Sequence, residues 1–517
     1  MNSRLIFLVI VMFSIFSIVF LRIYSLQINK GELYKVLAEG ANLNFQFQNE
    51  RGKILFRNGE KLATNISVPC LIVESKKLIN NKEAVKKLEG VLNLPESEIL
   101  EKLTNSSFVI LKRKLTKEEV EKIKELKIPG IVLTQEKIRY YPYGKLAANV
   151  VGFVNSEGEG QYGLEEFYEP ILKEGKNIQL SLDFNIQKKA EAILGKAKEF
   201  LDIEGGQIIV MDPFSGEIYA LANYPGFDPN NFESENIELF KNGATQKLFE
   251  PGSIFKPLTM AAAIEEGKIT PETKYVDEGF VKIGGWTITN FENKVWGERT
   301  MTEVLAWSIN TGAVFAERKL GHDLFLKYLE KFGIFEKTGI DLPEIYSENK
   351  ELKKGYEVNF ATAAFGQGVE VTPIQAVRAL AVIANGGYKI EPHLLLNKEI
   401  KKERIISKTT AETVTKMLIE AVEYGYGKRA KIDKYYIAGK TGTSQMPFAS
   451  LGIEQKGYSD KTWQSFVSWF PAFNPRFLIL IKLDNPKAIS AGVSTTGLAR
   501  ELIEYLLTFY QIPPDYE

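Results

Sequence analysis

The chain has 517 residues, too many for one ordinary core, so two or three domains are the starting expectation. Its 44% hydrophobic and 25% charged content is that of a folded globular protein, and 65 basic against 65 acidic residues leave no net basic field to favour nucleic acid. One cysteine, Cys70, excludes an internal disulfide and a cysteine-rich metal site, and two histidines, His322 and His393, leave little room for a zinc cluster.

From the N-terminus, Leu5 to Leu21 is a run whose only polar members are Ser14 and Ser17. At ~1.5 Å per residue it falls just short of a bilayer core, and a snorkelling Arg22 lets Ile23 and Tyr24 extend it. A cleaved signal peptide is the alternative, but no small-x-small site follows, so an uncleaved membrane anchor is expected over residues 1–25. The bulky remainder is then the translocated part. Residues 25 to about 45 read as a helix continuing into a polar stalk.

Arg51 to Leu55 followed by Arg57-Asn58-Gly59 reads as a strand and a hairpin turn. Cys70 lies in the apolar run Ser67 to Val73 and reads as a buried small hydrophobe. Thr116-Lys117-Glu118-Glu119 is a capping box ahead of Val120, Ile123 and Leu126 on one helical face. Residues 26–177 hold no cluster assignable to catalysis and are expected to form a packing or docking module, a pedestal.

A larger domain is expected over 178–512, with 513–517 as a tail. Gln207 to Val210 and Ile218 to Leu221 read as strands around the turn Asp212-Pro213-Phe214-Ser215-Gly216. A helical block is expected from about 250 to 430. Strands return at Tyr435 to Ala438, Gln464 to Phe470 and Phe477 to Leu483, and Arg500 to Tyr510 reads as a closing helix. Strands at both ends with helices between them imply one sheet built from distant segments, an α+β layered domain. His322 and His393 both read as structural.

Three strings within this domain carry chemistry: Ser253-Ile254-Phe255-Lys256, Ser308-Ile309-Asn310 and Lys440-Thr441-Gly442. Each alone is weak; together, in this order, they match the Ser-x-x-Lys, Ser-x-Asn and Lys-Thr-Gly set of penicillin-recognising acyl-transfer enzymes. Positions i and i+3 share a helical face, so Lys256 Nζ is placed to reach Ser253 Oγ. Lysine must be neutral to act as a base, which asks for a desolvated or cation-rich site; Lys440 could supply the neighbouring charge. A hydroxyl at Ser308 can relay a proton, and the Asn310 amide can hold Lys256 on one side and a substrate amide on the other. Read alone, Ser308 to Gly312 fits an ordinary cap or turn better than a catalytic string. On a strand, Lys440 and Gly442 face one way, Thr441 and Thr443 the other. Gly442 would let a substrate backbone approach, while Lys440 and a threonine hydroxyl would bind a terminal carboxylate. The N–H groups of Thr443 and Ser253 could form an oxyanion hole.

With these strings the chain resembles the class B penicillin-binding proteins, the D,D-transpeptidases of bacterial cell walls. The similarity extends to Gly206 through Ile218, Tyr224 through Asn230, Glu250 through Pro257, Phe365-Gly366-Gln367-Gly368, Val371-Thr372-Pro373 and Ala384-Asn385-Gly386-Gly387. The resemblance implies a membrane anchor, an elongated dimerisation-type pedestal, and a transpeptidase domain with a central antiparallel sheet flanked by helices. It implies that Ser253 attacks the D-Ala-D-Ala carbonyl of a peptidoglycan stem peptide, that an amine from a second stem completes the cross-link, and that β-lactams acylate Ser253. The implied catalytic set is Ser253, Lys256, Ser308, Asn310 and Lys440, with Thr441, Gly442 and Thr443 binding substrate and no metal or organic cofactor. Phe56 departs from the family, which carries an acidic residue there, and puts the local salt bridges in doubt. The ends Asp484-Asn485-Pro486 and Gln511 to Asp515 resemble the division (septal) group, whose partner is a polytopic lipid-linked glycosyltransferase. An elongation-type enzyme is the alternative, followed by a D,D-carboxypeptidase, a β-lactamase or a β-lactam sensor.

Overall fold

The computed structural model describes residues 3–24, 50–104 and 107–517, with side chains from Val11 onward. The chain forms two compact units, one comprising residues 1–51, 64–140 and 173–175, the other 52–63, 141–172 and 176–517. The N-terminal run is helical over Ser3–Tyr24. No helix among the described residues is long and apolar enough to cross a membrane. The stalk helix expected over 25–45 lies outside the described residues.

In the smaller unit, Phe108–Lys112 and Ile131–Tyr140 both pair antiparallel with Lys61–Glu74. Leu71 and Val73 point from this sheet into a core with Leu88, Ile99 and Ile123, while Cys70 and Ile72 occupy the opposite face with Phe108. That alternation is the two-residue period of a strand. Cys70 is fully buried, and burial pushes its thiol up to about 11, so it is inert packing. Helix Lys117–Leu126 begins with the expected capping box between Thr116 and Glu119.

The larger unit begins with Ile54–Leu55, which pairs with the start of Lys61–Glu74 across the Asn58-Gly59 turn and with Ile178–Gln179 on its other side. Phe56 is fully buried beside Phe184 and Tyr143, with ring centroids 5.5 and 6.3 Å away. Its neighbour Arg57 has an ionic partner after all, Glu217 at 2.7 Å.

Helix α1 (Phe184–Leu201) leads into β1 (Gly205–Met211) and β2 (Ile218–Tyr224). Helix α2 (Lys256–Glu265) follows, then a hairpin of β3 (Phe280–Ile283) and β4 (Trp286–Thr289). Helices α3 (Asn310–Leu320), α4 (Pro373–Ala384) and α5 (Lys408–Glu423) complete the helical layer. The chain returns as β5 (Ala438–Pro447), β6 (Tyr458–Phe470) and β7 (Phe477–Asp484), and ends in α6 (Ala491–Phe509).

The five strands form one antiparallel sheet in the order β5-β6-β7-β1-β2. Ile208, Val210, Ile479 and Ile481 face α1 and α6, where Ile193, Leu194, Leu502 and Leu506 meet them. Ile209, Met211, Leu478 and Leu480 face the other layer with Leu258, Val377, Leu380 and Leu418. Because both faces are covered, these strands are apolar at consecutive positions. At about 1.5–3 kcal/mol for each large apolar side chain buried, the two layers clamp the sheet and fix β5 at its edge.

His393 is a structural residue: its carbonyl accepts from Ile218 N and its N–H donates to Gly216 O. His322 opens a helix and contacts Glu317 at 2.6 Å.

Candidate active site

The segment Gly252–Phe255 is a short 3₁₀ turn, and the α-helix proper starts at Lys256 with Pro257 in its first turn, where a missing N–H costs nothing. Ser253 is therefore on the entry to α2, half-buried, and Lys256 is fully buried. The segment ahead of Ser253 is held by the Phe365 to Gly368 string and the residues after it. Phe249 and Val371 exchange both backbone hydrogen bonds, and Gly252 N donates to Gly366 O at 2.9 Å. A Cβ on Gly366 would lie 2.2 Å from the Gly252 carbonyl oxygen, so only glycine allows this approach.

Ser308 lies between helix Met301–Ala306 and α3, with φ at +56°, an uncommon conformation for a residue bearing a Cβ. This kink aims both its carbonyl and its hydroxyl at the buried lysines. Lys256 Nζ donates to the Ser308 carbonyl at 2.5 Å, to Asn310 Oδ1 at 2.9 Å and to Ser308 Oγ at 3.3 Å. Lys440 Nζ, on the edge strand β5, donates to Ser308 Oγ at 2.8 Å and to Thr441 O at 3.0 Å. Ser308 thus joins the two lysines. No hydrogen bond joins Lys256 to Ser253 Oγ among the described residues. The i, i+3 spacing puts them on one face, but Ser308 and Asn310 hold the amine.

Burial holds Lys256 well below the ordinary lysine range, and the charge of Lys440 lowers it further. Burial alone brings Lys440 down to about 7. Desolvation is therefore the first cause that favours the neutral amine of Lys256, and the neighbouring cation the second.

The Asn310 amide holds Lys256 as anticipated, and its Nδ2 gives one of its two N–H groups to Thr289 O at 3.0 Å. One expectation changes in detail. The space beside Gly442 is filled by protein: a Cβ there would meet Ser465 Oγ at 2.6 Å, Pro251 O at 2.8 Å and Ile254 Cγ2 at 3.0 Å. Glycine at 442 lets the Ser253 turn lie against the strand. Thr441 is buried, whereas Thr443 is half-buried and its Oγ1 accepts from Ala491 N at 3.1 Å. As an edge strand, β5 offers the backbone groups that point away from β6 to an extended ligand.

Residues outside the three strings complete the surroundings. Ser444 Oγ donates to Glu250 O at 2.7 Å, and the Tyr458 hydroxyl donates to the Glu250 carboxyl at 3.1 Å. Burial pushes this carboxyl up to about 7, against hydrogen bonds from Gly368 N–H and Tyr458 that favour the anion. Asn290 and Asp277 stand behind the Ser308 turn. Nothing in their sequence surroundings singles them out, because their partners are remote along the chain.

Residues 206–504 match the family model of the penicillin-binding protein transpeptidase domain, and residues 47–180 that of the penicillin-binding protein dimerisation domain. The chain is 31% identical to stage V sporulation protein D of Bacillus subtilis over 94% of this chain and 82% of that one. It is 30% identical to the peptidoglycan D,D-transpeptidase FtsI homolog of Mesostigma viride over 99% and 96%. A crystal structure of penicillin-binding protein 3 from Mycobacterium tuberculosis, complexed with aztreonam, superposes with a TM-score of 0.71 at 26% identity, covering 90% of this chain and 97% of that one. With both domain models matched in sequence order and relatives spanning nearly its whole length, the chain belongs to the class B penicillin-binding proteins, the family of the transpeptidase domain.

Proposed function

We propose that the protein is a serine D,D-transpeptidase that cross-links peptidoglycan stem peptides through an acyl-enzyme on Ser253. The observation that carries this reading is the buried line Lys256–Ser308–Lys440, with Ser253 one helical turn before Lys256. In the first step Ser253 Oγ forms a bond to the carbonyl carbon of the penultimate D-Ala and gives its proton to neutral Lys256. The tetrahedral oxyanion is met by the N–H groups of Ser253 and Thr443. Collapse breaks the peptide bond, and the proton returns to the leaving D-Ala amine by way of Ser308 Oγ. An amine from a second stem peptide then attacks the ester, loses its proton along the same line and frees Ser253. Lys440 and the hydroxyls of Thr441 and Thr443 hold the substrate carboxylate, and Asn310 fixes Lys256. A β-lactam follows the first step and stops there. None of these roles calls for a metal or organic cofactor.

The reading includes a single anchor in the cytoplasmic membrane at residues 1–25, a pedestal over 26–177 and an extracytoplasmic catalytic domain over 178–512. It is supported by the apolar run Leu5 to Leu21 and by the exposure of Met12, Phe13, Phe16, Phe20 and Leu21 on the helix Ser3–Tyr24. Septal wall synthesis beside a polytopic lipid-linked glycosyltransferase is the proposed setting, supported by the relative named FtsI homolog. A spore-wall role is a second reading, favoured by the relative named for stage V of sporulation.

Incubation with a penicillin followed by intact mass measurement tests the core of this proposal. One penicilloyl group mapped to the Ser253 peptide is the expected result. A label on another peptide, with that of Ser253 unmodified, would overturn it.

A further inference from the structure

The geometry points to Asn290 and Asp277 as a positioning pair that sets the Ser308–Asn310 turn, and through it the amine of Lys256, for acylation. This rests on the assignment of Ser253 and Lys256 proposed above.

Asn290 follows the last residue of β4 and is buried, 4% exposed, while Asp277 is 2% exposed. Asn290 Oδ1 accepts from the backbone N–H of Asn310 at 3.0 Å and of Thr311 at 3.2 Å. These are the first two N–H groups of α3, which have no partner inside the helix. Ile309, the residue flanking the helix start, supplies no side-chain cap, so Asn290 caps α3 from 20 residues away in sequence. The next residue back, Thr289, accepts from Asn310 Nδ2 at 3.0 Å, leaving Oδ1 of that amide facing Lys256. Backbone and side chain of Asn310 are therefore both fixed by Thr289 and Asn290.

Asp277 fixes Asn290 in turn. Asn290 Nδ2 donates to both Asp277 carboxylate oxygens at 3.0 and 2.9 Å, which assigns its other atom as the acceptor for α3. Asp277 also accepts from Thr311 Oγ1 at 2.6 Å, Trp296 N at 2.8 Å and Gly279 N at 3.1 Å. Among the described residues this buried carboxylate has hydrogen-bond donors but no ion-pair partner. Such an arrangement is rigid, because losing any donor leaves a buried polar group unsatisfied. Neither residue is in hydrogen-bonding contact with Ser253, Lys256, Ser308 or Lys440, so their action is through the turn.

The test measures penicillin acylation of the purified full-length protein, resolving the dissociation constant from the acylation rate constant, with melting temperature recorded alongside. Asn290→Ala is expected to lower the acylation rate constant by about a hundred-fold, the effect of a misplacement near 1 Å, with the dissociation constant nearly unchanged. Asn290→Asp and Asp277→Asn are each expected to slow acylation, the first by placing two carboxylates together and the second by placing two amides together. The double variant Asn290→Asp with Asp277→Asn restores one carboxylate and one amide and is expected to recover part of the rate, because an amide at 277 turns its Nδ2 toward either Trp296 N or the Gly279 N and Thr311 Oγ1 donors. Wild-type acylation by Asn290→Ala, or a loss confined to the dissociation constant, would overturn the pairing. So would a double variant that melts like wild type yet acylates as slowly as either single variant. A wild-type protein that leaves Ser253 unlabelled would instead overturn the nucleophile assignment, and this inference with it.

Discussion

Lys440 Nζ and Lys256 Nζ, from the edge strand and from helix α2, both donate to Ser308, one to its hydroxyl at 2.8 Å and the other to its carbonyl at 2.5 Å. Removing the hydroxyl in Ser308→Ala leaves Lys256 its carbonyl anchor but cuts the path for the returning proton. Acylation is expected to fall about 10²–10⁴-fold, the usual contribution of a positioned proton-transfer group, while Lys256 stays in place. Rapid-mixing kinetics with a fluorescent penicillin check this; an unchanged rate would remove Ser308 from the relay.

Acylation is expected to trace a bell against pH. On the acid side it rises as Lys256, held well below its ordinary range chiefly by burial, becomes neutral. On the alkaline side it falls as Lys440 loses its proton near about 7. Lys440→Gln removes the second cause that lowers Lys256, so the acid limb should move to higher pH. A limb that stays in place would exclude the coupling between these lysines.

Glu250 should make the fold less stable as pH rises. Its folded-state value, about 7, exceeds the ordinary 4.5, so its contribution is complete below about 4.5 and is lost as pH climbs through about 7. Above that range the cost of the buried anion is on the order of 3 kcal/mol. Glu250→Gln keeps the shape without the charge and should flatten the dependence of melting temperature on pH across this window. An unaltered slope would count against Glu250 as its source.

Gly442→Ala is expected to damage catalysis more than folding. Its Cβ would press on Ser465 Oγ, Pro251 O and Ile254 Cγ2, so the strain, about 1–3 kcal/mol, is shared between β6 and the turn that carries Ser253. Acylation rate and melting temperature measured together distinguish this from general destabilisation.

Phe56→Ala should cost about 3–5 kcal/mol, because a fully buried ring packed edge-on against Phe184 is lost. Denaturant unfolding measures it. Ser253 acylation at low denaturant should persist, since Phe56 belongs to the packing around the Asn58-Gly59 turn and makes no contact with the lysines.

The sheet was legible in the sequence because β1, β2, β6 and β7 are apolar runs bounded by turn residues. The three strings were legible because each is compact. Remote geometry was not: Lys256 takes its partners from positions 52 and 54 residues away, which no local spacing reveals. The β3–β4 hairpin was absorbed into an expected helical block, although Gly284-Gly285 between Phe280 to Ile283 and Trp286 to Thr289 is a hairpin signal. Helix α6 begins at Ala491, not near Arg500, because Gly492, Thr495 and Thr496 weaken the helical pattern. The threonine hydroxyls are satisfied by carbonyls four residues back, at 2.9 Å each.

The sheet order β5-β6-β7-β1-β2 has a temporal consequence. β1 pairs with β2 through a short hairpin, but its other neighbour is β7, so a strand near residue 208 waits for a partner near residue 481. A chain emerging from its N-terminus presents Ser253 long before Lys440 exists to face it. The lysine pair joined by Ser308 is thus assembled only with the last strands, as a late, non-local and slow event of folding.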